Sequence, residues 1–323
     1  MNILDVAKAC NVSKSTVSRV INNQPHVSEA TRKKVIDYIN KHQYVPNNIA
    51  NYFRNKTTKS IAISIPNIDH PFFSKISSLL SSNLNQYGYK TYIHQTFANK
   101  NSELEILNAL KTNEIDAVIL CSIENEHYII EEYSNNGLII VCNDAIKSEN
   151  IATFHFDEEN VGYLAGKYLL KRNKKTLGIC IDNISNAAQQ ARLKGFKKAL
   201  YERDIELDER YIFTEAYSIK DGLKIGNHIM KFHKQLDGLY TGNDYVSAGV
   251  QSILDQDIDI IGTDNQSICL VISPRLDSII IPIDQMAKDA VEFMVNKLND
   301  KSLAPIHKLY QGNIIENKPK ITP

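Results

Sequence analysis

Five side chains in one short stretch, Lys14, Ser15, Thr16, Ser18 and Arg19, could together grip a polyanion. Serine and threonine hydroxyls donate to phosphate oxygens or base edges, and an arginine fork can hold one guanine at two points. The same face could equally be solvated surface. A second set of polar and aromatic groups stands at the ends of apolar runs. Asn67, Asp69, His70, Phe72 and Phe73 follow IAISIP (61–66), Ser122 ends AVILCS (117–122), and Asp157 ends FHFD (154–157). Arg192 opens the helix after TLGICI (176–181), Tyr217 follows FTEA, Asn243 and Asp244 follow LYTG, and Asp264 follows DIIG. Carboxylates, amides, a guanidinium and aromatic faces suit a polyhydroxylated ligand, whose paired hydroxyls satisfy Asp and Arg and whose apolar face packs on a ring. Asp244 could instead cap a helix, Phe72 and Phe73 could be core packing, and His70 could be an ordinary surface histidine.

The first set needs a helix to present it. Asn2 can cap a helix over 3–10 with Asp5 in its first turn, burying Leu4, Val6 and Ala7. Asn11 and Val12 make a turn, and Ser13 caps a second helix, 14–22, with Val17, Val20 and Ile21 inward. Ser28 caps a third, 29–42, with Val35, Ile36 and Ile39 inward. Short helix, tight turn and second helix form a helix-turn-helix, whose second helix fits the major groove. Charge agrees. Residues 1–59 hold ten Lys/Arg against three acids, while the rest of the chain holds 27 basic against 34 acidic residues. A basic head on an acidic body gains by displacing counterions from phosphates. After Pro46, Asn47 can cap a helix over 48–54 with Ile49, Ala50 and Phe53 on one side. So short a helix is unstable alone and needs a partner, for which its copy in a dimer is suited.

From residue 60 onward, strand-like runs alternate with helical stretches at 73–87, 102–113, 125–136, 158–172, 189–203, 218–234, 244–254 and 284–299, ending in a short strand near 308–315. Repeated β-α pairs predict parallel sheets with helices on both faces, and a ligand crevice at the carboxyl ends of the strands. The expected fold is an all-α helix-turn-helix headpiece (1–45), a hinge and linker (46–59) and an α/β core of two subdomains (60–323). These subdomains are placed at about 60–153 with 284–323, and about 157–280.

The run ILDVAKACNVSKSTVSRVINNQPHVSEATRKKVIDYINKHQYVPNNIA resembles the headpiece of the lactose-repressor (LacI/GalR) family, nearly continuously over about 50 residues. The body is similar to that family's periplasmic-binding-protein-like core through IPNIDHPFF (65–73), ARLKGFKKAL (191–200), GNDYVSAGV (242–250) and IGTDN (261–265). The resemblance implies base readout by Lys14, Ser15 and Arg19, and phosphate contacts around Asn2, Thr16, Ser18, Asn22, His26 and Thr31. It implies paired hinge helices, through Asn47, Ala50 and Phe53, in the minor groove, with Phe53 standing where the family usually wedges a leucine. In the core it singles out Arg192, Asp264, Tyr217, Asp157 and Asn243 as ligand contacts. The chain departs from the family pattern at His70 (usually Asn), Asn173 (usually Gly), Asp277-Ser278 (usually Thr-Thr) and Ile281 (usually polar).

No apolar run approaches the roughly 18 residues of a spanning helix, and the N-terminus lacks the pattern of a secretion signal, so the expected location is the cytoplasm. The five cysteines show no CxxC or metal spacing and read as small buried hydrophobes. No GxGxxG, P-loop, GxSxG or HExxH occurs, so neither an enzyme nor a cofactor or metal is expected. The reading is a homodimeric repressor of a carbohydrate operon that binds a palindromic double-stranded operator and is controlled by a sugar or sugar phosphate. The C-terminal tail is too short for a heptad zipper, which favours a dimer. The alternatives are a global catabolite regulator using a phosphocarrier protein as co-effector, and a solute-binding protein.

Overall fold

A computed structural model describes residues 1–21, 23–44, 57–184, 186–254 and 258–317. The chain divides into two units, Met1–Thr58 and Lys59–Pro323. The expected hinge helix, with Asn47, Ala50 and Phe53, lies outside the described residues, as does Asn22. Among the described residues no helix is long and apolar enough to cross a membrane.

The first unit holds α1 (Ile3–Ala9), α2 (Lys14–Ile21) and α3 (Glu29–Lys41). Asn2 and Asp5 form a reciprocal capping box on α1, and Ser28 caps α3 by accepting from the Thr31 N–H at 3.3 Å. Val6, Ala7, Cys10, Val17, Val20 and Val35 close the core. Two expected core residues are not there: Leu4 is 51% exposed and Ile36 41%. In α1 the inward line runs through positions 3, 6, 7 and 10, with Ile3 packed against the core, and Leu4 lies off it. In α3, Ile36 sits one residue round from Val35, while Tyr38 and Ile39 complete that face.

The second unit is built on two six-stranded sheets. The first contains β1 (Ser60–Ile65), β2 (Lys90–Gln95), β3 (Ala117–Leu120), β4 (Leu138–Asn143), β5 (Ala152–Phe156) and β11 (His307–Tyr310) in the order β11-β5-β4-β3-β1-β2, all parallel. The second contains β6 (Leu177–Cys180), β7 (Ile212–Phe213), β8 (Gly238–Thr241), β9 (Asp259–Thr263), β10 (Asp277–Ile280) and β12 (Asn313–Ile315) in the order β12-β10-β9-β8-β6-β7, parallel except for β12 against β10. The helices are α4 (Pro71–Gln86), α5 (Lys100–Lys111), α6 (His127–Ser134), α7 (Glu158–Lys171), α8 (Ala187–Tyr201), α9 (Ile219–Phe232), α10 (Asp244–Gln251), the short α11 (Ile268–Val271) and α12 (Ile283–Asn299). Phe72, Ile76, Leu80 and Leu84 recur every four residues on α4 and are buried. Each such burial stabilises by roughly 1.5–3 kcal/mol.

The subdomain limits shift from those expected. The single strand read near 308–315 is two strands in two sheets, because Gln311-Gly312 ends β11 and lets β12 turn back along β10. Residues 313–315 therefore belong with the second sheet rather than with 284–323. β5, most of which falls between the expected limits at 153 and 157, lies in the first sheet. The chain thus crosses between the sheets near 157, near 281–282 and near 311–312.

Two of the departures from the family pattern, at Asn173 and at Asp277-Ser278, sit in defined local settings. Asn173 has φ +61°, a left-handed helix exit that glycine or asparagine tolerates best. The buried Asp277 carboxylate accepts from the Tyr168 hydroxyl, Arg172 and the Asn317 N–H, and Ser278 donates to Asp244 at 2.7 Å.

Candidate functional site

In the first unit, Lys14, Ser15 and Arg19 are exposed on α2, with Thr16 and Ser18 half-buried beside them. The Ser13 hydroxyl receives the Thr16 N–H at 3.1 Å and lies 2.7 Å from Ser15 Oγ and 2.8 Å from Thr16 Oγ1. That net fixes the helix start. Asn2 uses its side-chain oxygen on the Leu4 and Asp5 N–H groups of α1, and Thr31 Oγ1 accepts from Ser28. His26 is exposed with φ +68° in the loop between α2 and α3. Arg32, not singled out by sequence, donates to Asn23 Oδ1 at 3.0 Å and to the Gln24 carbonyl at 2.6 Å. It ties that loop to α3.

In the second unit a cleft of about 1300 Å³ lies between the carboxyl ends of the two sheets. Asn67, His70, Phe72, Phe73, Ser122, Asp157, Arg192, Tyr217, Asn243 and Asp264 all line it, as does Asp69. Their availability differs. Arg192 is buried, bonded to Glu158 through Nε and through Nη2 (3.1 Å), and donates from Nη1 to the Gly242 carbonyl at 2.9 Å. Burial works against its charge, and Glu158, with Tyr240 and Asp264, more than offsets that and raises its pKa. Asn243 caps α10 through Val246 N–H (2.9 Å) and donates to the Tyr217 carbonyl (3.3 Å). Asp157 caps α7 at the Asn160 N–H (3.0 Å). These two residues position helices as well as facing the cleft. Asn67 Oδ1 accepts from the Asp69 N–H at 2.9 Å, which shapes the turn into α4. Phe72 is core as well as wall, edge-on to Phe156 at 6.2 Å and to Phe73 at 5.3 Å. Tyr217 is 42% exposed. His70 precedes α4 without a side-chain cap bond, its ring 5.3 Å from that of Phe73. Burial, aided by the Arg192 charge, lowers its pKa to about 4, and its buried Nδ1 has no hydrogen-bond partner among the described residues.

Sequence reasoning missed Glu158, Gln189, Glu124, Asp144 and Asp182, which also line the cleft. Some were within reach. Asp144 directly follows LIIVCN and Asp182 directly follows TLGICI, the same strand-end positions used elsewhere. Gln189 stands one helical turn before Arg192 on α8, on the same face. Only packing shows that Glu158 meets Arg192, 34 residues away.

Asp264 has φ +90°, a backbone state strained for an aspartate and often found at functional sites. Burial raises its carboxyl to about 6 against the pull of Arg192. Asp244, which accepts from Gln266 N–H (2.6 Å) and Ser278, is outside the cleft lining; burial, then the Asp264 charge, raises it to about 8. An unfolded aspartate titrates near ~3.9. The folded chain therefore holds these protons more tightly than the unfolded chain. That stabilisation is full below about pH 4 and is lost as pH rises through about 6 and then about 8. The melting temperature should fall across that window, and Asp244→Asn should flatten the upper part of the fall. An unchanged slope in the variant would show that Asp244 does not set it.

Residues 2–47 match the model of bacterial regulatory proteins of the lacI family, and residues 58–273 match that of periplasmic binding proteins and the sugar-binding domain of the LacI family. The NTD biosynthesis operon regulator NtdR of Bacillus subtilis is 36% identical over 302 residues, covering 91% of this chain and 92% of that protein. Catabolite control protein A of Priestia megaterium is 26% identical, covering 94% of each. Among solved structures, a Lac repressor dimer bound to operator and an anti-inducer aligns over 100% of this chain and 99% of its own, with a TM-score of 0.84 at 18% identity. A regulator CelR–cellobiose complex aligns over 98% of each chain with a TM-score of 0.70 at 18% identity. The basic helix-turn-helix and the two-sheet core with its cleft are thus parts of one known design, and the chain belongs to the LacI family of DNA-binding transcriptional regulators.

Proposed function

We propose that this protein represses a carbohydrate-utilisation operon in the cytoplasm, binding a roughly palindromic operator as a homodimer and responding to a sugar in the core cleft. The observation that carries the reading is one chain that joins an exposed Lys14-Ser15-Arg19 face on α2 to a ligand-sized cleft with polar groups converging from both sheets. Two copies of the headpiece read two half-sites, so the symmetry of the operator mirrors that of the dimer. Asn22, Asn47, Ala50 and Phe53 belong to the proposed DNA contact set with Asn2, Thr16, Ser18, His26 and Thr31. A ligand that favours one arrangement of the subdomains shifts DNA affinity, and operator shifts ligand affinity by the same factor. The CelR complex with cellobiose and a Lactobacillus casei relative with bound sucrose support a sugar as the class of ligand. The acid-rich lining suits a phosphorylated sugar poorly.

Selection of genomic fragments with the full chain, with and without candidate sugars, tests the reading. It should enrich one motif whose recovery a sugar changes. Uniform adsorption to all duplexes under every condition would refute it. On the enriched operator, Arg19→Ala should cost about 1–3 kcal/mol of binding. An equal loss on random duplex, read by fluorescence anisotropy, would reduce Arg19 to a phosphate contact.

A further inference from the structure

The cleft is strongly unbalanced in charge. Glu124 and Asp144 face it from the β3 and β4 ends of the first sheet, and Asp182 and Asp264 from the β6 and β9 ends of the second. Among the described lining residues Arg192 is the only lysine or arginine, and Glu158 already holds it on two nitrogens. The four carboxylates have neutral donors instead: Thr96 hydroxyl for Glu124 (3.0 Å), Ile123 N–H for Asp144 (3.1 Å), Asn183 N–H for Asp182 (2.7 Å) and Gln266 for Asp264. Burial is the main cause that raises each of these carboxyls, and neighbouring carboxylates add to it. Arg192 pulls Asp182 and Asp264 the other way, and His127 does so for Asp144, but burial outweighs both and all four carboxyls stay raised. Ionising the four together is therefore costly, and a further cation arriving between the walls offsets that cost.

An independent feature points the same way. Gln189 is only 8% exposed, lines the cleft one turn from Arg192, and its Oε1 has no hydrogen-bond partner among the described residues. A buried acceptor left without a donor is costly, so this oxygen is set for a donor brought by the ligand. An ammonium group has three donors and no acceptor, which matches a lining of carboxylates and an amide oxygen better than any neutral hydroxyl.

We propose that the effector is an amine-bearing sugar whose protonated amino group sits between the Glu124–Asp144 wall and the Asp182–Asp264 wall, with Gln189 as a further acceptor. The proposal rests on the sugar reading above and narrows it. An ammonium held by carboxylates from both sheets would also draw the two subdomains together, which gives the ligand a direct hold on the arrangement that DNA senses.

Isothermal titration of the full-length chain decides it with disaccharides of one backbone: the β-1,4-linked glucosamine dimer, N,N′-diacetylchitobiose and cellobiose, with spermidine as a cation lacking a sugar ring. The amine dimer should bind at least about tenfold more tightly than either neutral sugar, since charge-assisted hydrogen bonds are roughly twice as strong as neutral ones. The preference should shrink with added salt and in Glu124→Gln. Equal or tighter binding of a neutral sugar overturns the proposal and leaves the sugar reading standing. Spermidine binding as tightly as the amine dimer overturns the sugar reading while keeping the demand for an amine. No binding by any of the four overturns both.

Discussion

Replacing Arg192 by alanine should cost the core about 3–5 kcal/mol of stability, the usual result of stripping one partner from a buried ion pair. Both side chains of the Arg192–Glu158 pair are 8% exposed, so the orphaned Glu158 carboxylate would have only the little water that reaches it from the cleft to replace the guanidinium. The Gly242 carbonyl would lose its Nη1 donor, and Asp264 would lose the charge that opposes its protonation. Urea unfolding followed by circular dichroism measures the loss. In Arg192→Ala with Glu158→Gln, where no buried charge is abandoned, most of it should return. A loss below about 1 kcal/mol in the single variant would show that the pair is not supported by burial. His70 offers a second readout. Arg192 lowers its pKa, secondarily to burial, so the His70 titration followed by NMR should move upward in the variant. Any loss of ligand response in Arg192→Ala must therefore be read against the stability of the fold.

Gly195→Ala should destabilise the core by about 2 kcal/mol or more, against the sign expected from helix propensity. An alanine in place of glycine within a helix normally gains up to about 1 kcal/mol. Here α7 and α8 cross with backbones nearly touching. A Cβ on Gly195 would stand 1.8 Å from the Glu159 carbonyl oxygen and 2.8 Å from the Tyr163 nitrogen. Gly162 mirrors it, its Cβ falling 1.9 Å from the Arg192 carbonyl oxygen. These neighbours are main chain, so no rotamer change relieves the clash, and the helices must separate. Overpacking of this kind costs about 1–3 kcal/mol even where side chains can yield. Separation also moves the helix that carries Gln189 and Arg192. A melting temperature equal to or above that of the parent chain would mean that the crossing is looser than the structure shows.

Much of the site was legible because strands expose their carboxyl ends in this architecture. Once the alternation of apolar runs and helices is read, Asn67, Ser122, Asp157, Tyr217, Asn243 and Asp264 fall at one rim whatever the details of packing. Periodicity also located the three headpiece helices and their caps, since Asn2, Ser13 and Ser28 act on N–H groups within three residues. It misjudged Leu4 and Ile36, because a short helix has room for one inward line and a window of few turns leaves its direction ambiguous by one residue.

By itself, the sequence determined what depends on near neighbours and on period: the basic helix-turn-helix, the alternating core, the capped helices and the strand ends that carry polar groups. Tertiary structure alone decided what depends on residues far apart in the chain meeting in space. It spent Arg192 on Glu158, split the last strand pair between two sheets, and set Asp157 and Asn243 to holding helices as well as facing the cleft. The reason is that the charge and availability of a buried group are set by its partners and by exclusion of water, and neither follows from spacing along the chain.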